Sequence, residues 1–97
     1  MRDEEFEWDD NKAETNLRDH QVSFQTARRV FADWDKLEDF DSDSGFGEDR
    51  FFCIGAVGLD VYYVTYTVLD DDRTRIISAR PATKRETNAY YRGKTGG

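Results

Sequence analysis

From residue 50 onward the chain reads as three runs of β-branched and aromatic residues, 50–57, 61–69 and 73–81, separated only by Val57-Gly-Leu-Asp and Asp70-Asp-Asp. Such runs suit a pleated, half-buried surface, and connections this short join only neighbouring antiparallel strands. The pattern therefore predicts a meander that Pro81 closes. In its last strand, alternation puts Arg73, Arg75, Ile77 and Ala79 on one face and Thr74, Ile76, Ser78 and Arg80 on the other. Ile76 and Ile77 cannot both face water, so the sheet must be covered, at least in part, on both sides.

The first half carries helical signals. Phe6-Glu7-Trp8 alternates apolar and polar residues and suits a short first strand. Asp9, Asp10 and Asn11 supply caps for a helix over residues 12–20, with Ala13, Leu17 and His20 at helical spacing. Ser23 is an N-cap for a second helix whose apolar face is Phe24, Ala27, Val30 and Phe31, and Val22 is placed to staple its first turn. Residues 36–41 read as another strand, followed by the turn formers of 42–48. After Pro81, Thr83 caps a C-terminal helix through Tyr91, with Glu86 at the capping-box position. The predicted order is β-α-α-β-β-β-β-α. This is an α+β fold in which two N-terminal helices and a C-terminal helix pack on one face of an antiparallel sheet of four to five strands. With 97 residues the chain suffices for one domain, 1–97, around a single core.

Composition excludes several classes. Seven Phe, five Tyr and two Trp are too many large apolar side chains for a disordered tail, although 36% of residues are charged. The single Cys53 forms no internal disulfide and reads as a buried strand residue. The acidic N-terminus lacks the apolar stretch of a signal peptide, and the longest apolar-leaning run, 51–59, falls short of the ~20 residues of a membrane span. A soluble cytoplasmic protein without a membrane partner is the expectation. The net charge is −7, but it is divided: residues 1–49 hold 6 Lys/Arg and 16 Asp/Glu, whereas 73–97 hold 7 Lys/Arg and only Glu86. A polyanion would find its positive surface in the C-terminal quarter.

The residues that can carry chemistry are mostly cations. Arg75 and Arg80 each either pair with a carboxylate or line a cleft for an anion, while Arg73 abuts Asp70-Asp-Asp and reads as a turn-edge ion pair. Lys12, Asn16 and His20 are four apart and share one helical ridge, either a solvated polar stripe or the basic wall of a groove. His20, the sole histidine, closes the first helix, where the dipole favours a cation. Glu48 and Arg50 point to one side of a strand start: an ordinary ion pair, or a general base beside a phosphate-stabilising cation. Gly93-Lys-Thr imitates a P-loop end, but no leading glycine or preceding strand supports it. The acidic clusters lack EF-hand spacing, and no Cys/His set for zinc exists, so neither metal nor cofactor is expected.

Two blocks together carry a resemblance. Phe6-Glu-Trp-Asp-Asp-Asn-Lys12, Asn16-Leu-Arg-Asp-His20 and Val22-Ser-Phe with Ala27…Val30-Phe-Ala-Asp33 are similar to the opening of the BrnT toxin family. Glu48-Asp-Arg50…Ile54-Gly55 and the stretch from Arg75 through Arg80 and Glu86 to Tyr90 resemble its middle and end. The resemblance implies a RelE-like fold and a small ribonuclease that arrests translation. It also implies a BrnA-like ribbon-helix-helix antitoxin, with DNA engaged only through the complex. The positions matching the family's recurrent polar residues are Lys12, His20, Glu48, Arg50, Arg75, Arg80 and Glu86. By that resemblance cleavage is metal-independent. Lys12, Arg50 and Arg80 serve the phosphate, His20 or Glu48 moves the proton, and Arg75 does electrostatic or structural work. Lys84, Arg85 and Tyr90 line the RNA path. The chain departs from the family at Gln21, where glycine usually follows the histidine, and at Asp70–Asp72. An interaction protein on the same fold, without activity and bound to a DNA-binding partner, is the alternative.

Overall fold

The computed structural model describes residues 1–41 and 50–94. Its elements are β1 (Phe6–Glu7), α1 (Asp10–His20), α2 (Phe24–Val30), β2 (Leu37–Phe40), β3 (Phe51–Val57), β4 (Asp60–Val68), β5 (Thr74–Pro81) and α3 (Lys84–Lys94). They make one five-stranded sheet in the order β1-β5-β4-β3-β2. The meander from β2 to β5 is antiparallel, as its short turns require. β1 corrects the all-antiparallel expectation: it lies parallel to β5, with Phe6 opposite Thr74 and Glu7 opposite Arg75. The whole helical segment separates these two strands in the chain, so no hairpin dictates their relative direction.

The caps act locally as their residue types predict. The Asp9 carboxylate accepts from the Asn11 and Lys12 amides at 2.8 and 3.1 Å, and Ser23 Oγ accepts from the Thr26 amide at 3.0 Å. Thr83 and Glu86 exchange reciprocal bonds of 3.1 and 2.8 Å, a complete capping box. α1 ends on Gln21 at φ 60°, ψ 28°, whose amide bonds the Leu17 carbonyl. This left-handed cap is the conformation glycine adopts without cost, and Gln21 adopts it anyway.

Two corrections concern faces. The three helices do not share one side of the sheet. α1 and α2 cover one face, over a core built around Trp8, Phe24, Val30, Cys53, Val64 and Ile76. α3 covers part of the other, where Tyr90 packs on Ile54 and Val61. Gly55 permits the close approach of α2, since a Cβ there would stand 2.9 Å from Val30 Cγ1. Burial pushes the Cys53 thiol up to about 12, so it is a core residue. Leu17, expected on the inner stripe of α1, is half exposed, and Asn16 turns inward instead.

Asn16 is only 6% exposed because it completes the sheet. β1 pairs with β5 only at Thr74 and Arg75, leaving the rest of that edge open. The Asn16 amide fills the gap: Nδ2 donates to the Ala79 carbonyl at 2.8 Å and Oδ1 accepts from the Ala79 amide at 3.1 Å. Nδ2 also donates to the Val22 carbonyl at 2.9 Å, fixing the α1–α2 corner. One side chain thus supplies the donor and acceptor that a neighbouring strand would present.

Two outcomes are expected. Asn16→Ala strands Ala79 and Val22 backbone groups and lowers the unfolding free energy by roughly 3 kcal/mol, measured by denaturant titration. Asn16→Asp, which keeps only the acceptor, does not rescue it. Gln21→Gly relieves the left-handed cap and raises stability by roughly 0.5–1 kcal/mol in the same assay.

Candidate functional site

The last strand pair sets the site. Its register slips between Thr65 and Tyr66: Thr65 stands opposite Ser78, Tyr66 opposite Ile76, and Ile77 is left over as a β-bulge. Simple alternation placed Arg75 and Arg80 on opposite faces, and the bulge overturns this. Arg75 pairs with Thr67, Ser78 with Thr65 and Arg80 with Tyr63, and these three β4 residues alternate without interruption. Arg75, Ser78 and Arg80 therefore share the α3-side face, while Ile76 and Ala79 share the buried one.

That face has a covered end and an open end. At the open end, Thr67 and Arg75 are partners on β4 and β5, and Arg50 immediately precedes β3. Lys12, from the first turn of α1, joins them over the β5 edge beside Ile77. Together with the Val68-Leu69-Asp70 turn they line a groove of about 520 Å³. A second groove, about 280 Å³, continues along α1 from Lys12 past Thr15 and Asn16 to His20, again touching Ile77. The ridge of Lys12, Asn16 and His20 is real, but its middle member is committed to β5. His20 sits two turns from Lys12, ~12 Å along the helix.

Carboxylates hold several of these cations. Glu7 receives Arg73 at 2.6 Å and also pairs with Arg75, its register neighbour. Burial works to raise the Glu7 pKa, but the two guanidiniums outweigh it and keep it below the ordinary value. Arg73 also binds Asp71 at 2.7 Å, the turn-edge pair its position suggested. Arg80 is held most completely. Glu86 grips it in a two-pronged pair of 2.8 and 2.9 Å, and its guanidinium lies 4.1 Å from the Tyr63 ring centre.

The remaining sequence candidates fall as follows. Lys84 and Arg85 are exposed in the first turn of α3. Tyr90 is corrected: at 1% exposure it cannot offer a ring to RNA, and its hydroxyl donates to Asp33 Oδ2 at 2.5 Å. The exposed aromatic on that helix is its neighbour Tyr91. A helix with two consecutive tyrosines does not reveal from sequence which one is turned inward. Glu48 lies outside the described residues. Among the described residues, no three His, Cys, Asp or Glu side chains converge as metal ligands. Sequence reasoning missed Thr67 and Phe52, both on the open face; only the β4–β5 register reveals the alignment of Thr67 with Arg50 and Arg75.

The fold and the groove define the class: a small α+β protein with a cationic groove on an open sheet face. The sequence profile of the ribonuclease toxin BrnT, of type II toxin–antitoxin systems, matches residues 8–86, and the chain belongs to this family. An RNA substrate and an antitoxin partner come with that membership. The fold is similar to that of the Brucella abortus ribonuclease toxin BrnT, known from a 1.1 Å crystal structure. The TM-score is 0.63 at 23% identity, over 82% of this chain and 97% of that one. No curated relative matches the chain at the sequence level. Among the described residues, no helix is long and apolar enough to cross a membrane.

Two carboxylates fasten α3 beside the site. Glu86 is held below its ordinary pKa of 4.5, first by Arg80 and then by the Thr83 amide. Burial tends to raise Asp33, but the Ala56 amide, the Tyr90 hydroxyl and the Asp35 amide bring it below its ordinary 3.8. A carboxylate whose pKa is depressed by folding stabilises fully above its unfolded value and stops doing so as pH falls through the folded one. Acidification from about pH 4.5 downward should therefore speed amide exchange in α3 ahead of the β3–β4 core. An Asp33→Asn/Glu86→Gln double variant should be weaker at pH 7 and show a flatter response to acid over that range.

Proposed function

We propose that this chain is an endoribonuclease that cuts RNA without a metal ion, in the groove where Lys12, Arg50 and Arg75 meet. The observation that carries the reading is that convergence: three cations from three separate parts of the chain gather around Thr67, on a protein with a net charge of −7. In the reaction, the 2′-hydroxyl attacks the adjacent phosphate, its proton passes to a base, and the 5′-oxygen of the next nucleotide leaves with a proton from an acid. Negative charge builds on the non-bridging oxygens at the pentacoordinate stage. Guanidinium and ammonium groups already fixed in place stabilise it with little reorganisation. Arg50 and Arg75 flank the phosphate and Lys12 approaches from the strand edge. His20, further along the connected groove, and Glu48 are the candidates for proton transfer. Arg80 acts through the framework, orienting Tyr63 and α3, with Lys84 and Arg85 drawing the RNA strand.

On this reading the protein works in the cytoplasm and arrests translation. A BrnA-like ribbon-helix-helix antitoxin neutralises it and supplies the complex's contact with DNA. One observation favours the alternative of an inactive, interaction-only relative: Asp70 lines the groove and Glu7 pairs with Arg75, so carboxylates temper its positive potential.

Purified chain should cleave RNA equally well with and without a chelator. Arg50→Ala and Arg75→Ala should each lower kcat/KM roughly 10²- to 10³-fold without loss of fold. Each loss of a phosphate contact should also reduce the slope of log affinity against log salt by about 0.7. Activity that disappears with the chelator and returns with a divalent ion would overturn the metal-free mechanism. A folded chain that neither cuts RNA nor arrests growth would favour the interaction protein.

A further inference from the structure

Phe52 stands in the middle of the open face, and nothing in the groove chemistry above uses it. It points to the same side as Arg50, two residues and about 7 Å along β3. Its neighbours across the sheet are Thr65 and then Ser78 on one side and Asp39 on the other. A phenyl ring in a polar row, beside the row that holds Thr67 and Arg75, is out of keeping with a merely solvated surface. It packs against the Ile54–Val61–Tyr90 cluster and keeps intermediate exposure.

The ring is also held from behind. It stacks on Tyr63, with centroids 5.2 Å apart and an angle of 11° between the ring planes. Tyr63 in turn carries the Arg80 guanidinium, which Glu86 fixes at 2.8 and 2.9 Å. The series Phe52, Tyr63, Arg80, Glu86 runs across the sheet to the first turn of α3. A ring braced in this way loses little freedom when something stacks on it, so stacking energy is retained as binding.

We propose that Phe52 is a substrate-binding residue, the platform on which a nucleobase next to the cleaved phosphate stacks. This rests on the ribonuclease reading of the Arg50–Thr67–Arg75 groove. Stacking on an aromatic face is available to every base and contributes most where the ring is already oriented. The cation row takes the phosphate, and Phe52, one alternation further along the strand, takes the base attached to it. The Arg80–Glu86 pair then affects cleavage through ring orientation rather than through contact with RNA.

The test uses the full chain and short RNAs that each carry one abasic ribose at successive positions around the mapped cut. Wild-type protein should lose roughly 5- to 150-fold in kcat/KM at one of these positions. Phe52→Leu, which keeps apolar volume against Ile54, should lose a similar factor on intact RNA and become indifferent to the abasic ribose there. Phe52→Trp should restore both activity and base dependence. Binding of the same RNAs with 2′-deoxyribose at the attacking position gives a readout that does not require cleavage. Phe52→Leu that retains the wild-type abasic penalty, in cleavage or in binding, overturns the platform. A wild-type protein indifferent to every abasic position overturns it equally. Failure of the groove itself would show instead as Arg50→Ala and Arg75→Ala binding and cutting like wild type.

Discussion

The amide of Asn16 does for β5 what a sixth strand would otherwise have to do. The edge of a sheet needs a partner for every buried amide and carbonyl, and the two-residue β1 reaches only its first part. By pairing with both backbone groups of Ala79, Asn16 fixes α1 against β5, and its third bond, to Val22, fixes where α2 begins. Lys12 and His20 stand one turn to either side of it. Their positions over the groove thus depend on a residue whose side-chain amide bonds backbone groups of β5 and the α1–α2 corner. A helix that packed through an apolar residue alone would be free to slide along the strand.

The local signals in this sequence are strong because they are chemical and short in range. Asp9, Ser23 and Thr83 each cap the helix they precede, and the two tight turns impose the meander that follows them. These depend on atoms within a few residues, which a sequence displays directly. The faces were harder to read. A strand's alternation is legible only if it is unbroken, and the extra residue at Ile77 breaks it with no glycine or proline to mark the place. α3 carries apolar and aromatic residues that suit either face, so its choice of side emerges from contacts outside the helix: Tyr90 packed on Ile54 and Val61 and bonded to Asp33, 57 residues away in the chain, and Glu86 held by Arg80. Asn16 reads as one more polar residue in a polar stripe, because nothing in its neighbourhood announces an open strand edge.

Charge in this molecule is organised as cations set within acids. Glu7 serves two arginines, Asp71 shares one of them, and Glu86 holds a third. Such pairs contribute modestly to stability where they are exposed. Their larger effect is to fix long side chains in single positions, which an arginine facing a phosphate otherwise does only at an entropic cost. The same carboxylates lower the potential that draws a polyanion in, so orientation is gained at the expense of attraction. A groove of this kind discriminates by shape and contact more than by bulk charge.

The bulge at Ile77 gives β5 a phase, and that phase is set by the bulge and the residue count together. A substitution at Ile77 leaves the backbone count intact and so leaves Arg75, Ser78 and Arg80 on one side. Deleting a single residue between Arg75 and Arg80 would leave them four apart, so regular alternation without the bulge would still hold both on one face, whereas losing the bulge with the count unchanged would turn one arginine toward the Trp8–Ile76 core. Among descendants of this chain, loss of the bulge should therefore go together with loss of one residue between Arg75 and Arg80.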